Sequence, residues 1–242
     1  MDQKHVQTTI SYAGFADLSF TVLDLVTVMA GGRYSVDEKE VSQTRTFLIG
    51  DSCTDLKDER RWTSFSPKFG LQTAFMEDHM IYAQYQEGFK SGGFNLSGCG
   101  DQFEPEKIKA YEAGFKTSWF DGLMTVNGAA FTYDYTDLQV FQIRNFSGQI
   151  DNAGAATVNG AELEVAASPI DGLRLNLALS WLDATYDEFE SVDGLDMNNI
   201  GGLVEPSLAT PEDLSGRHLN RAPEKTVFVG AEYELPLGSA GF

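Results

Sequence analysis

Several features that would define common classes of protein are missing from this sequence. It has no run of 18 apolar residues, so it contains no transmembrane helix. Its start, MDQKHVQTTISYAG, lacks the apolar core of a secretion signal. We therefore expect a mature or internal piece of a longer protein, or a protein outside membranes. Lys and Arg number 17 against 36 Asp and Glu, a net charge of −19, which argues against nucleic-acid binding because phosphates need a basic surface.

Residues for metal binding or catalysis are also few. His5, His79 and His218 are scattered without the spacing of metal ligands. No serine stands in a Gly-x-Ser-x-Gly elbow or near a histidine, so we predict no enzyme and no cofactor. The two cysteines, Cys53 and Cys99, fall in predicted loops. They either form one disulfide in an oxidising compartment or remain unrelated free thiols.

The most informative stretch that is present is 173–186, LRLNLALSWLDATY. In an extended chain Leu173, Leu175, Leu177, Leu179 and Trp181 share one face, and polar or small residues share the other. The stretch exceeds the usual soluble strand of about 5–6 residues and suits a tilted strand with about 9–11 residues in a bilayer. It therefore predicts a strand with one face toward lipid.

Similar stretches recur along the chain. The predicted strands are 7–20, 25–36, 63–75, 80–87, 108–120, 123–135, 157–167, 173–186 and 225–235. Short connections at 21–24, 76–79, 121–122 and 168–172 alternate with long ones at about 41–61, 88–107, 145–156 and 188–222. Outer-membrane barrels have this asymmetry of short periplasmic turns and long external loops. We predict an all-β, antiparallel transmembrane barrel segment, and the odd number of strands predicts a larger whole.

The alternation also predicts which side chains face lipid and which face the interior. The sixth strand is expected to direct three aromatic residues outward: Phe131, Tyr133 and Tyr135. A mixed-charge interior lining is expected from Arg33, Lys68, Glu112, Lys116, Glu162, Glu164, Arg174, Glu232 and Glu234. Such a lining indicates a wet interior, because charge facing lipid costs about 2–4 kcal/mol at the midplane.

A series of short motifs carries a family resemblance. The motifs are YAQYQEGFKSGGFN at 82–95, FEPE at 103–106, YEAGFK at 111–116, FTYDYTDLQ at 131–139, NAGA at 152–155 and NGAELE at 159–164. In order and spacing they resemble the C-terminal part of the barrel of TonB-dependent outer-membrane receptors. Each motif alone is weak, whereas the series covers almost the whole chain.

The resemblance implies a barrel of about 22 strands that encloses an N-terminal plug. Family members import ferric siderophores, cobalamin, haem or carbohydrates, powered by the TonB–ExbB–ExbD complex. For this chain we expect residues 1–242 to be a partial barrel domain without the plug. The expected setting is the outer membrane of a Gram-negative bacterium, in contact with lipid and lipopolysaccharide, with a small-molecule ligand such as a ferric siderophore.

We assign ligand binding at the rim or lumen to Arg33, Lys90, Asn95 and Arg144, with the loops 88–107 and 188–222 around them. For Lys90 and Asn95, interior hydrogen bonding is the alternative. The alternative function is a soluble all-β module that binds glycans, and an enzyme on a small barrel comes third.

Overall fold

The computed structural model describes residues 2–46, 52–76, 78–95, 99–144, 147–152, 154–191 and 212–235. Regular structure within these ranges consists of β-strands. They are β1 Asp2–Val22, β2 Val26–Thr46, β3 Cys53–Met76, β4 His79–Lys90, β5 Gly93–Phe94, β6 Gln102–Phe103, β7 Glu106–Trp119, β8 Met124–Thr136, β9 Gln139–Arg144, β10 Ser147–Asn152, β11 Ala155–Ala167, β12 Leu173–Glu188, β13 Glu190–Ser191, β14 Glu212–Asp213 and β15 Lys225–Tyr233.

Nine of these strands form one antiparallel sheet, in the order β1-β2-β3-β4-β7-β8-β11-β12-β15. Each strand therefore pairs with its predecessor in this series, as the prediction of an all-β antiparallel segment requires. The remaining six strands form three small two-stranded sheets in the long connections. Within the described ranges, no helix has the length and apolar character needed to cross a membrane.

The short connections have tight-turn geometry. Leu23 and Asp24 have φ values of 52° and 53°, and Asp121 and Gly122 have values of 53° and 88°. Positive φ at both central residues matches the right-handed twist of the flanking strands. These turns confirm the predicted hairpins at 21–24 and 121–122.

The prediction of a loop at 41–61 is wrong. Strands β2 and β3 stay paired from Val26↔Thr73 to Arg45↔Cys53, so the hairpin continues far beyond its apolar part. Charged residues such as Glu38 and Arg61, which form an ion pair of 3.5 Å, replace the apolar row there. The alternation in the sequence disappears because charged residues continue the row that is apolar elsewhere, although the backbone ladder persists.

Cross-strand pairing defines two faces of the nine-stranded sheet. The apolar face carries rows such as Tyr34–Phe65 and Leu163–Leu179–Val227. Phe65 and Phe69 on this face are 62% and 54% exposed. The opposite side, with Arg33, Glu112 and Glu162, is the polar face.

The predicted facing of the sixth strand is wrong. In β8, Phe131 pairs with Glu112 on β7 and with Gly160 on β11, so Phe131, Tyr133 and Tyr135 lie on the polar face. The reason is space, because the Phe131 ring lies where a side chain at position 160 would be. The Phe131 and Tyr133 rings stack at 4.6 Å with an angle of 16°. The apolar face of β8 instead carries Met124, Val126, Gly128 and Ala130.

The buried residues gather at the end of the sheet that carries the long connections. One group consists of Val41, Trp62 and Phe94, and we call it the rim cluster. A second group contains Tyr186 and Phe189 near the end of β12. Packing therefore orders the long connections, while the middle of the sheet leaves both faces open.

Candidate functional site

The rim cluster is built around Trp62 of β3, which is only 4% exposed. Its ring meets Phe94 edge to face at 6.1 Å between centroids. Lys39 Nζ and Arg60 Cζ lie 5.5 and 5.4 Å from the ring centre, within range of cation–π attraction. Burial lowers the pKa of Lys39, and the Asp37 carboxylate acts in the opposite direction.

The glycines of the GFKSGGFN motif let the chain approach the rim cluster. A Cβ at Gly92 would lie 2.7 Å from the Trp62 indole, and one at Gly93 would lie 2.6 Å from the Phe103 ring. Lys39 Nζ donates to the Gly92 carbonyl at 2.5 Å. The motif thus brings the β4–β7 connection directly onto the β2–β3 hairpin.

Asn95 connects three segments of the chain and is 5% exposed. Its side-chain amide donates to the Ile150 carbonyl at 2.9 Å, and the Ile150 N–H donates back at 2.7 Å. The Asn95 carbonyl accepts from Gln43 Nε2 at 2.8 Å, and its N–H donates to Asp101 at 2.8 Å. The structure therefore engages Asn95 in interior hydrogen bonds, and ligand binding by this residue stays a prediction.

The two cysteines meet at the same end of the sheet. Cys53 and Cys99 form a disulfide with 5.8 Å between their Cα atoms. The N–H of Gly100 donates to Gln43 Oε1 at 2.9 Å, and Arg60 lies 2.6 Å from the Glu104 carboxylate. Covalent, polar and aromatic contacts therefore all hold the β4–β7 connection against β2 and β3.

Lys90 lies at the start of this connection. Its Nζ is 3.5 Å from Glu106 Oε2, and its side chain is 60% exposed. Gln139 also contacts this part of the connection. Its backbone N–H donates to the Glu106 carboxylate at 2.9 Å, and its side-chain amide donates to the Ser91 and Glu104 carbonyls at 3.1 and 3.0 Å. Arg144 ends β9, and its side chain lies outside the described residues.

Arg33 is separate from the rim residues and lies on the polar face. Its Nε donates to Ser35 Oγ at 3.0 Å. It lines an open cavity of about 340 Å³ that Lys68 and Ser66 also line. The predicted site residues thus fall into two places, a bonded rim and an open polar face.

A group of aromatic and acidic residues occupies the polar face of β4, β7 and β8. Glu112 accepts from Tyr82 Oη at 2.8 Å and from Gln84 Nε2 at 3.1 Å. The stacked Phe131 and Tyr133 rings lie beside it. These groups offer stacking surfaces and hydrogen-bond acceptors to a polar solute. No three His, Cys, Asp or Glu side chains in the described ranges converge as metal ligands.

Comparison with known proteins places this geometry in a family. A family model described as TonB dependent receptor-like, beta-barrel matches residues 2–242. The chain belongs to the TonB-dependent receptor family. The apolar and polar faces of its sheet are therefore those of a receptor barrel wall, and the family is one of transport receptors.

Relatives of this receptor chain include receptors for metal complexes. It is 25% identical over 165 residues to the metal-pseudopaline receptor CntO of Pseudomonas aeruginosa (strain UCBPP-PA14), covering 68% of this chain and 23% of the relative. The structure of the siderophore receptor PiuA from Acinetobacter baumannii matches with a TM-score of 0.71 at 18% identity, over 94% of this chain and 31% of PiuA.

A further solved structure, the ferric yersiniabactin uptake receptor FyuA from Yersinia pestis, matches with a TM-score of 0.67 at 20% identity, over 76% of this chain and 28% of FyuA. These structural matches show a shared barrel fold. The chain spans 23–31% of the length of the three relatives.

Proposed function

We propose that the full-length protein imports a scarce solute such as a ferric siderophore across the outer membrane of a Gram-negative bacterium. The TonB–ExbB–ExbD complex would supply the energy through a plug domain, and residues 1–242 would contribute part of the barrel wall. The observation that carries the proposal is the division of one nine-stranded sheet into an uncovered apolar face and a polar face, within a chain of this receptor family.

The uncovered apolar face favours this proposal over a soluble glycan-binding module. Phe65, Phe69 and Leu71 lie on the same face of β3 and are more than half exposed, at 62%, 54% and 52%. Apolar surface left in water costs about 25 cal/mol per Å², and large exposed patches mark contact with lipid or a partner. A lipid bilayer removes this cost for the whole row.

The ligands of related receptors support this choice of solute. CntO is a metal-pseudopaline receptor, and FyuA takes up ferric yersiniabactin. The polar face offers aromatic rings, carboxylates and cations, which suit a polar solute better than an apolar one. We therefore place metal complexes of small organic chelators first among the substrates.

Uptake in cells tests the proposal. The gene for the full-length protein is deleted in its own bacterium, and uptake of radioactive iron is measured with a panel of siderophores, in the presence and absence of tonB. We expect one siderophore to lose TonB-dependent uptake in the deletion strain and to regain it on complementation. Unchanged uptake of every metal chelate would contradict the substrate class. A protein that stays monomeric and stable in plain buffer, without heat-modifiable gel migration, would contradict the membrane assignment.

A further inference from the structure

Two cations are neighbours on the polar face, away from the rim cluster. Arg33 on β2 pairs with Ser66 on β3, and Lys68 pairs with Gly31. The two charged residues are thus diagonal neighbours on one face, about 7–8 Å apart and within reach of a shared group. With no side chain at position 31, the space next to Lys68 on β2 is occupied by the Asp17 carboxylate from β1.

Neither cation has a carboxylate partner within ion-pair distance in the described part of the chain. Among the residues that the structure describes, the Arg33 side chain makes one hydrogen bond, from Nε to Ser35 Oγ at 3.0 Å. This is unexpected in a chain with 36 acidic residues against 17 basic ones. Two adjacent and unpaired cations repel each other, so a negatively charged group between them would be stabilising.

The surroundings offer further hydrogen-bond donors. Arg33, Lys68, Ser66 and Gln86 line one open cavity of about 340 Å³. A guanidinium group binds carboxylate and phosphate groups through two parallel N–H donors, and an ammonium group adds a point charge. The cavity therefore combines charge and directional donors for an oxyanion.

Two carboxylates limit the strength of this site. Asp17 pairs with Gly31, and its carboxylate lies over the Gly31 backbone, on the same row as Lys68. Glu87 lines the cavity too, but its carboxylate accepts a hydrogen bond from the Tyr85 hydroxyl. Asp17 is thus the group that competes most directly with an incoming anion.

We propose that Arg33 and Lys68 form a subsite for an oxyanion, a carboxylate or phosphate group, on the polar face of β2 and β3. The inference rests on the proposed function and deepens it, because it names the charge class that this part of the wall receives. The oxyanion belongs either to the imported solute or to an acidic side chain elsewhere in the full-length protein, and both present the same chemistry.

Titration calorimetry with citrate and inorganic phosphate tests the subsite in the purified full-length protein in detergent. We expect Arg33→Gln and Lys68→Gln each to weaken binding by about tenfold or more, the loss typical of one charge-assisted hydrogen bond. Asp17→Asn is expected to strengthen binding several-fold. Lys116→Gln removes a cation from the same face and serves as the matched control, without effect.

The same set of variants separates the two sources of the oxyanion. If it is an internal side chain, citrate and phosphate do not bind to the wild type. In that case Arg33→Gln and Lys68→Gln lower the Tm more than Lys116→Gln does. Arg33→Lys keeps the charge and serves as the second variant if Arg33→Gln fails to fold. The subsite is overturned if both glutamine variants match Lys116→Gln in anion binding and in Tm. Because these measurements need no transport, a failure of the import proposal leaves them interpretable.

Discussion

A charged residue placed on the apolar face of β11 should strongly destabilise the protein in lipid. Leu163 pairs with Leu179 on β12 and Gly128 on β8, so it lies within the apolar face. It stands five residues from Ser168, the first residue of a short connection. At about 3.3 Å per residue and a tilt of about 40°, Leu163 is about 13 Å from that connection, near the middle of an apolar band about 25 Å tall.

The magnitude for Leu163→Arg follows from this depth. Arginine facing lipid at the midplane costs about 2–4 kcal/mol, which lowers the equilibrium constant for folding by about 30- to 700-fold. Glu162→Arg is the matched control, because Glu162 has the same depth but lies on the polar face. We expect its free energy of unfolding to stay within about 0.5 kcal/mol of the wild type.

Folding of the full-length protein into lipid vesicles provides the assay, with the folded fraction read from heat-modifiable gel migration across a urea series. Equal effects of Leu163→Arg and Glu162→Arg would refute the assignment of the two faces. A larger effect of Glu162→Arg would show that the faces are reversed.

Four further predictions concern the rim. Trp62→Ala should cost about 3–5 kcal/mol of local stability and expose the β4–β7 connection to limited proteolysis, whereas Phe141→Ala, at an exposed aromatic residue, should leave the cleavage pattern unchanged. Cys53→Ser should remove a cross-link between residues 46 positions apart, worth about 4 kcal/mol by chain entropy, and thermal unfolding should become insensitive to reductant; a retained response to reductant would contradict the pairing. Because burial lowers the pKa of Lys39, the charged lysine disfavours the folded rim, and stability should rise with pH through the folded pKa up to the unfolded value of about 10.5. Amine labelling followed by mass spectrometry should show Lys39 reacting at a lower pH in Asp37→Asn than in the wild type, and an unchanged profile would count against the Coulombic role of Asp37.

The sequence predicted the strands well wherever one face is apolar. The row from Leu173 to Trp181 identifies β12 because lipid and water on opposite sides impose a period of two. Beyond Val36 and Thr63, charged residues such as Glu38 and Arg61 continue the apolar row while the other face packs in the rim cluster, so the period vanishes although β2 and β3 remain paired. The extension of this hairpin therefore cannot be recognised from the sequence pattern.

Aromatic character alone predicts the wrong facing for β8. Phe131 and Tyr133 suggested a lipid-facing row, but the register set by the hairpin with β7 places Trp119 opposite Met124 and turns both rings inward. A one-residue change of register reverses every side chain, and only the neighbouring Gly160 reveals the room for Phe131. Because Gly160 lies on β11, the sequence of β8 alone does not show that Phe131 has room on the polar face.

The candidate site shows the same limit. Motif glycines and the cysteines marked the rim, yet Gln43 and Gln139 carried no signal, although each bonds to backbone groups about 50 residues away. Such contacts depend on the folded arrangement of several connections. The diagonal position of Lys68 next to Arg33 likewise follows only from the strand register.

The ties through Asn95 have a consequence for how the outer surface of this receptor can diversify. Its amide bonds the connection after β4 to the β9–β10 hairpin, and its carbonyl bonds the same connection to β2. An insertion or deletion in one of these segments shifts the bonding partners of the other two. Evolutionary change at this surface should therefore come as coordinated substitutions in distant parts of the gene. For the same reason, one of these loops grafted alone into another receptor would lose its conformation.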